Sequence, residues 1–300
     1  MLLKDLNYED ALESIKDDRV IFDKTTNIAD ITFLTTKGYQ ENLSIGVSRS
    51  DKQLDNFKEL LKHPFLKNEK DSLSKRARLH QMSLPMTYSM IAGEAQKVTQ
   101  DATEIIKHYE DNPFLIEYTP IGYVSSNFIL GAASRDSGDV QTAFKQADKL
   151  KEIRENAFVK KSQKASASAI FYHAILKMQL FLKTNDFESA LAFYDEISEE
   201  ISNNQQFISK PQLYDLYFQF SKLFFVVQNY KKTLLYTNEI LNDLKFKDRD
   251  DFGITVRLFN LIVHFELHND FTLEYLSKST YSYLKRKERL YETERLLIKF

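Results

Sequence analysis

Three hundred residues without a cysteine exclude disulfides, thiolate nucleophiles and cysteine-ligated zinc or iron–sulfur sites. Seven glycines and five prolines are too few for an all-β or glycine-rich nucleotide fold, and 43% hydrophobic residues are too many for a disordered chain. A formal net charge of −2 offers no electrostatic case for a nucleic-acid or membrane-surface partner.

The chain opens "MLLKDLNYEDALES", with acids where a signal peptide would carry its apolar core, and no stretch is read as an apolar membrane span. A cytoplasmic location is the resulting expectation. Residues 1–63 read as irregular N-terminal helices, degenerate members of a repeat that becomes clear further on. "LNYEDALESIKDD" has the wording of a second helix in a pair, with Tyr8 and Ala11 at the repeat's spacing. Gly38 and Tyr39 suggest a turn. Leu43, Val47, Leu54, Phe57 and Leu61 would then share one face of a helix that Pro64 stops.

Residues 64–288 read as an array of helix pairs. The self-similar stretches begin "GEAQKV" at Gly93, "GDVQTAF" at Gly138, "NDFESAL" at Asn185, "QNYKKTL" at Gln228 and "NDFTLEY" at Asn269. Two residues into each stand Ala95, Val140, Phe187, Tyr230 and Phe271. Three further on the first four have the compact residues Val98, Ala143, Ala190 and Thr233, whereas the last has Glu274. The landmark recurs every 41 to 47 residues, from 95 to 140, 187, 230 and 271. Between the turns the apolar spacing is helical. Leu213, Leu216, Tyr217, Phe220, Phe224 and Val227 follow steps of three and four, as do Leu258, Leu261, Ile262 and Phe265. Phe259 and Val263 add a second stripe, the mark of a helix packed on two sides. A pair repeated in this way buries its remaining apolar surface on its neighbours, which is the logic of a helical solenoid. Residues 289–300, with "RLYETERLLIKF" at their start, read as a closing helix that covers the last pair.

These copies resemble tetratricopeptide repeats (TPRs). "LGAASRDSGDV" places Leu130 and Gly131 at the family's spacing before Gly138. Phe181, Phe224 and Phe265 take its tyrosine position, and Ala143 and Ala190 its packing alanine. The family's tryptophan is absent, and the period exceeds the usual length of about 34 residues, so each helix must be longer by roughly a turn. Armadillo and HEAT arrays have similar periods. From about residue 57, "LLKHPFL", "RLFNLIVHFELHNDFTLEYLSKSTYSYLKRKERLY" and "ERLLIKF" also resemble bacterial TPR proteins with long repeats. The resemblance implies an all-α, right-handed solenoid of antiparallel helix pairs and no particular activity.

It also implies a concave groove lined by the first helices, at positions thirteen, ten, six, three and two before each turn. Carried onto this chain, these are Ser125, Phe128, Ala132, Arg135 and Asp136, then Tyr172, Ile175, Gln179, Leu182 and Lys183. The next pairs supply Asp215, Phe218, Lys222, Phe225 and Val226, then Val256, Phe259, Val263, Glu266 and Leu267. Arg135, Tyr172, Gln179, Lys183, Asp215, Phe218, Lys222 and Glu266 are expected to contact a protein or peptide partner. Aromatics there would serve as desolvated anchors, and the cations would hold carboxylates or backbone carbonyls.

No reaction chemistry competes with that expectation. His264 and His268 in "HFELH" have a metal-sharing spacing, but Phe265 stands where a zinc protease has its glutamate, and no third ligand is evident. "GAASRDSGD" lacks the glycine spacing and lysine of a phosphate loop, and there is no G-x-S-x-G elbow. The basic runs "KLKEIRENAFVKKSQK" and "YLKRKERLYETER" are interrupted by glutamates, as on a solvated helix face, so nucleic acid is not an expected partner. The sequence therefore points to a non-catalytic adaptor or scaffold without metal or cofactor. The alternative is a sensor whose superhelix responds to a short signalling peptide.

Overall fold

The computed structural model describes residues 8–45, 54–243, 250–287 and 289–299. Among them the chain is all-α, with fifteen helices and no strand. It divides into two compact units, Met1–Ser162 and Gln163–Phe300.

The first unit contains α1 (Tyr8–Ile45), α2 (Asp55–Leu61), α3 (Lys75–Ala92), α4 (Ala95–Asp111), α5 (Phe114–Tyr118), α6 (Pro120–Ser137), α7 (Val140–Ile153) and α8 (Ala157–Lys160). Its long helices pack in chain order, α1 on α3, α3 on α4, α4 on α6 and α6 on α7. The second unit contains α9 (Gln163–Lys183), α10 (Phe187–Asn204), α11 (Lys210–Val226), α12 (Tyr230–Asn242), α13 (Asp250–Glu266), α14 (Asp270–Arg286) and α15 (Glu292–Lys299). Here α9 packs on α10 and α11, α11 on α12, α12 on α13 and α13 on α14, while α15 lies against α13 and α14.

The helices that follow a turn bury a single stripe. In α4 it is Val98, Ala102, Ile105, Ile106 and Tyr109; in α7, Ala143, Ala147, Leu150 and Ile153; in α10, Ala190, Phe193, Ile197 and Ile201. Steps of three and four keep these residues on one side and leave the charged ones in water. The helices that precede a turn bury more of their circumference. In α9 the buried set runs from Ala165 through Ile170, Phe171, Ala174 and Leu176 to Leu180, with most positions between. This makes α9 long and apolar enough, by length and composition, to cross a membrane, contrary to the sequence expectation of no such stretch. Its apolar character has a packing cause: 61% of the window is buried inside the protein.

The five turns share one backbone geometry. Gly93, Gly138, Asn185, Gln228 and His268 have φ of 75°, 91°, 56°, 59° and 52°. The amide of the residue after each donates to a carbonyl five residues back: Glu94 to Ser89, Asp139 to Ser134, Asp186 to Phe181, Asn229 to Phe224 and Asn269 to His264. The left-handed residue itself donates to a carbonyl three back, as Gly138 does to Arg135. This is the Schellman closure, which satisfies helix-end carbonyls and reverses the chain. The Asp139, Asp186 and Asn229 side chains then accept from the amides of Thr142, Ser189 and Lys232, capping the next helix. Val98, Ala143, Ala190 and Thr233, five residues past the left-handed residue, are all buried, with Ala143, Ala190 and Thr233 fully so.

Two sequence expectations are corrected by this geometry. The last turn is centred on His268, one residue before the expected Asn269, so its packing position is Leu273 rather than Glu274. Phe271, aligned with Phe187 and Tyr230 in the sequence, is 91% exposed. Phe265, expected at the family's tyrosine position, is 55% exposed, and His264 occupies the place of Phe181 and Phe224. The second correction is at Gly38, where no turn occurs: α1 continues through it to Ile45. A β-carbon on Gly38 would lie 2.1 Å from Leu84 Cδ1 and 3.0 Å from Phe57 Cζ. Its role is close approach, letting α1 reach the cluster of Leu34, Leu54, Phe57, Leu84 and Ile91. The helix expected from Leu43 to Leu61 is correspondingly divided between the end of α1 and α2; Val47 lies outside the described residues.

A β-carbon on Gly138 would meet nothing within 4 Å, so substitution there tests the backbone alone. Gly138→Ala is expected to cost about 1 kcal/mol in urea unfolding, the penalty of a β-carbon in the left-handed region. Gln228→Gly, at the equivalent place, should be neutral or stabilising, because it relieves the same strain against glycine's greater unfolded freedom.

Candidate functional site

The expected groove positions of the second unit converge best on α11 and α13. Lys210 and Pro211 start α11 behind Ser209, whose capping box with Gln212 fixes the helix entry. From there the helical period brings Asp215, Phe218, Lys222 and Phe225 along one side, all half-buried. Phe218 meets Phe259 of α13 edge-on at 5.6 Å between ring centres, and Phe252 at 5.5 Å. Phe225 packs against Phe259 at 5.2 Å and against Tyr230 of α12 at 5.7 Å. Lys222 holds its ammonium 5.2 Å from the centre of the Phe218 ring. The result is an aromatic ladder across two helices, with a cation over one rung. Edge-on pairs of this kind add of order 0.5–1.5 kcal/mol to area burial.

The remaining predicted residues are distributed around this ladder. Tyr172 and Gln179 are half-buried on α9, where Tyr172 touches Phe171 at 5.2 Å, and Lys183 is exposed at the end of the helix. Glu266 is exposed at the end of α13. Arg135 belongs to the first unit, where its Nε and terminal nitrogen both donate to Asp136 Oδ1 at 2.8 Å. Val256 and Val263, assigned to the groove on the misplaced turn, are fully buried core residues. Counting back from His268 instead gives Thr255, Leu258, Ile262, Phe265 and Glu266, all exposed except the half-buried Leu258, which takes the counted place of the equally half-buried Phe259. Ile262 and Phe265 were thus missed, and the signal that would have found them is the left-handed φ at His268.

Behind the ladder, α11 is tied to α10 and α12 through a second aromatic group. Tyr194 of α10 meets Phe220 and Phe224 edge-on at 5.0 and 4.8 Å, and its hydroxyl lies 2.7 Å from that of Tyr236 on α12. Lys232 stands over both Tyr194 and Phe224, at 4.9 and 4.5 Å. Burial, then the hydrogen bond to Tyr194, pushes the Tyr236 hydroxyl well above the usual phenol range. At the N-terminal end of α11, Asp243 accepts from the Tyr214 hydroxyl and from Lys210 Nζ, the latter at 2.7 Å. Burial is again the first cause of a raised tyrosine, with the carboxylate second. Raised in this way, the Tyr214 and Tyr236 hydroxyls stay protonated and serve as fastenings.

His264 and His268 are not a matched pair on one helix, since α13 ends at Glu266 and His268 forms the turn. Burial lowers the His264 pKa, and its Nδ1 lies 3.4 Å from Asn269 Nδ2. Among the described residues no group of three or more histidine, aspartate or glutamate side chains is placed to hold a metal ion. No family model matches the chain, and no curated protein or solved structure is significantly similar to it.

Tyr236→Phe removes one hydroxyl and strands the other. It is expected to cost about 1 kcal/mol, as is Tyr194→Phe, and the double substitution should cost less than the sum of the two. A double-mutant cycle of urea midpoints checks this; strict additivity would mean that the hydroxyls do not pair in solution.

Proposed function

We propose that the chain is a non-catalytic scaffold: a right-handed, TPR-like solenoid whose first-helix face takes a segment of a partner protein in the cytoplasm. The recurrent Schellman turns and chain-order packing support the repeat reading. The observation that carries the binding reading is the half-buried ladder of Phe218, Phe225 and Phe259 with Lys222 beside it. Residues of this kind are large and already ordered, so they lose little freedom when covered. Truncated aromatics at the centre of an interface commonly cost a tenfold loss or more. Lys222, with Lys183 on the neighbouring first helix, supplies charge-assisted donors for a carboxylate or carbonyl of the segment.

Two measurements test the two halves of this reading. A displayed library of random peptides selected against the full chain should yield binders whose affinity falls at least about tenfold with Phe225→Ala and several-fold with Lys222→Ala, both variants retaining helical circular dichroism. Binders indifferent to both substitutions would move the interface off this face. Small-angle scattering addresses the architecture: a solenoid should give a radius of gyration well above the about 19 Å of a compact chain of this length. A value near that figure would sink the solenoid.

A further inference from the structure

A separate cavity of about 300 Å³ lies in the first unit, between α6 and the α3–α4 turn. It exists because small residues face one another: Gly93 and Ala95 on the turn side, Ala132 and Ala133 on α6. Met90, Val98, Phe128 and Ile129 complete apolar walls. The space opens to the surface at Gly93, Glu94 and Asp136, and its volume is at the lower end for ligand pockets.

Two carboxylates stand among the lining residues, one from each side. Glu94 is exposed, and its side chain makes no capping bond to α4. The nearby cation Lys97 is bonded to Asp101 Oδ1 at 2.5 Å, with Glu94 a smaller electrostatic influence on it. On α6, Arg135 binds Asp136 through Oδ1 alone, which fixes the carboxylate and leaves Oδ2 for another donor. The floor is apolar and each edge carries a carboxylate, that of Asp136 already paired with Arg135.

We propose that this cavity is a docking pocket for a partner segment in which a bulky apolar side chain is flanked by lysine or arginine. The apolar side chain fills the space left by Gly93, Ala95, Ala132 and Ala133. One flanking cation meets Glu94 and the other meets Asp136 Oδ2. A segment fits better than a free amine, because the carboxylates come from different elements with apolar floor between them, and a single ammonium satisfies only one. Acidic flanks would be repelled at both edges. The pocket lies in the first unit and the aromatic ladder in the second. Because Phe128, Ala132 and Asp136 are among the first-helix positions named above, the proposal rests on the first-helix reading and gives it a site with its own test.

The test uses the full chain with labelled methionine, isoleucine and valine methyl groups and three capped peptides, acetyl-Gly-Lys-Phe-Lys-Gly-amide, its Glu-Phe-Glu counterpart and its Lys-Ala-Lys counterpart. The Lys-Phe-Lys peptide should shift the Met90, Val98 and Ile129 methyl resonances saturably, and the other two should do so at least about tenfold more weakly. Ala132→Phe, which fills the pocket, should abolish the response. Glu94→Gln with Asp136→Asn, which preserves shape, should weaken it about tenfold. Phe225→Ala, in the second unit, should leave it unchanged. Equal response to the Glu-Phe-Glu peptide, or no saturable shift at the three methyl groups, would overturn the proposal. Loss of the response with Phe225→Ala would likewise overturn it, by assigning the binding to the aromatic face.

Discussion

The left-handed residue that ends each first helix is the constraint on which the rest depends. Once Gly138 takes φ 91°, the amides of Gly138 and Asp139 are committed to the carbonyls of Arg135 and Ser134, and the chain has reversed within two residues. The second helix must then start at Val140, and its fifth residue from the turn faces the helix just left. In four of the five turns a compact side chain stands there, and in the fifth the half-buried Leu273. Alanine at 143 and 190 and threonine at 233 follow from the backbone, with Thr233 returning its hydroxyl to the Asn229 carbonyl so that its polar atom is satisfied. Turn, register and small residue are therefore one feature.

That feature also decides which side chains remain for function. A helix before a turn is covered by its own partner and by the neighbouring pair, so its apolar residues extend most of the way around, as in α9 and α11. What is left uncovered is a narrow strip whose position is set by counting back from the turn. On α11 that strip carries Asp215, Phe218, Lys222 and Phe225. An error of one residue in the count rotates the strip by about 100°, which exchanges the exposed Thr255 and Ile262 for the buried Val256 and Val263.

This explains how much could be read in advance. The helical class and four of the five turns were legible because glycine at 93 and 138 and Asn185-Asp186 mark a reversal, and Gln228-Asn229 was found by its likeness to them. The fifth was misplaced because "ND" occurs in both roles. Asn185 is left-handed and Asp186 caps, whereas Asn269 follows the left-handed His268 and begins the next helix. Histidine, like asparagine, is enriched in that conformation, so in "HND" the local sequence offers two adjacent candidates and does not choose between them. Gly38 misled in the opposite sense, since a glycine required for close contact with Leu84 and Phe57 looks the same in sequence as one required for a turn. The meeting of Phe218 with Phe259 was visible only as two positions in a pattern. Their contact depends on how α11 and α13 lie, which no local signal encodes.

The two aromatic groups on α11 are coupled through the helix that carries both. Phe220 and Phe224 are gripped by Tyr194 and Tyr236, whose hydroxyls bond to each other beneath the Lys232 ammonium. Phe218 and Phe225, two residues before the first and one after the second, are consequently held from behind before anything covers them. Rotation of α11 would have to break edge-on contacts on both sides at once. A partner meeting such a face does not have to order it, and the entropy that a mobile aromatic would lose on binding has already been spent in folding. Under the proposed binding, selectivity would come from what the rigid rings exclude, and Lys222 over Phe218 would add charge to that shape.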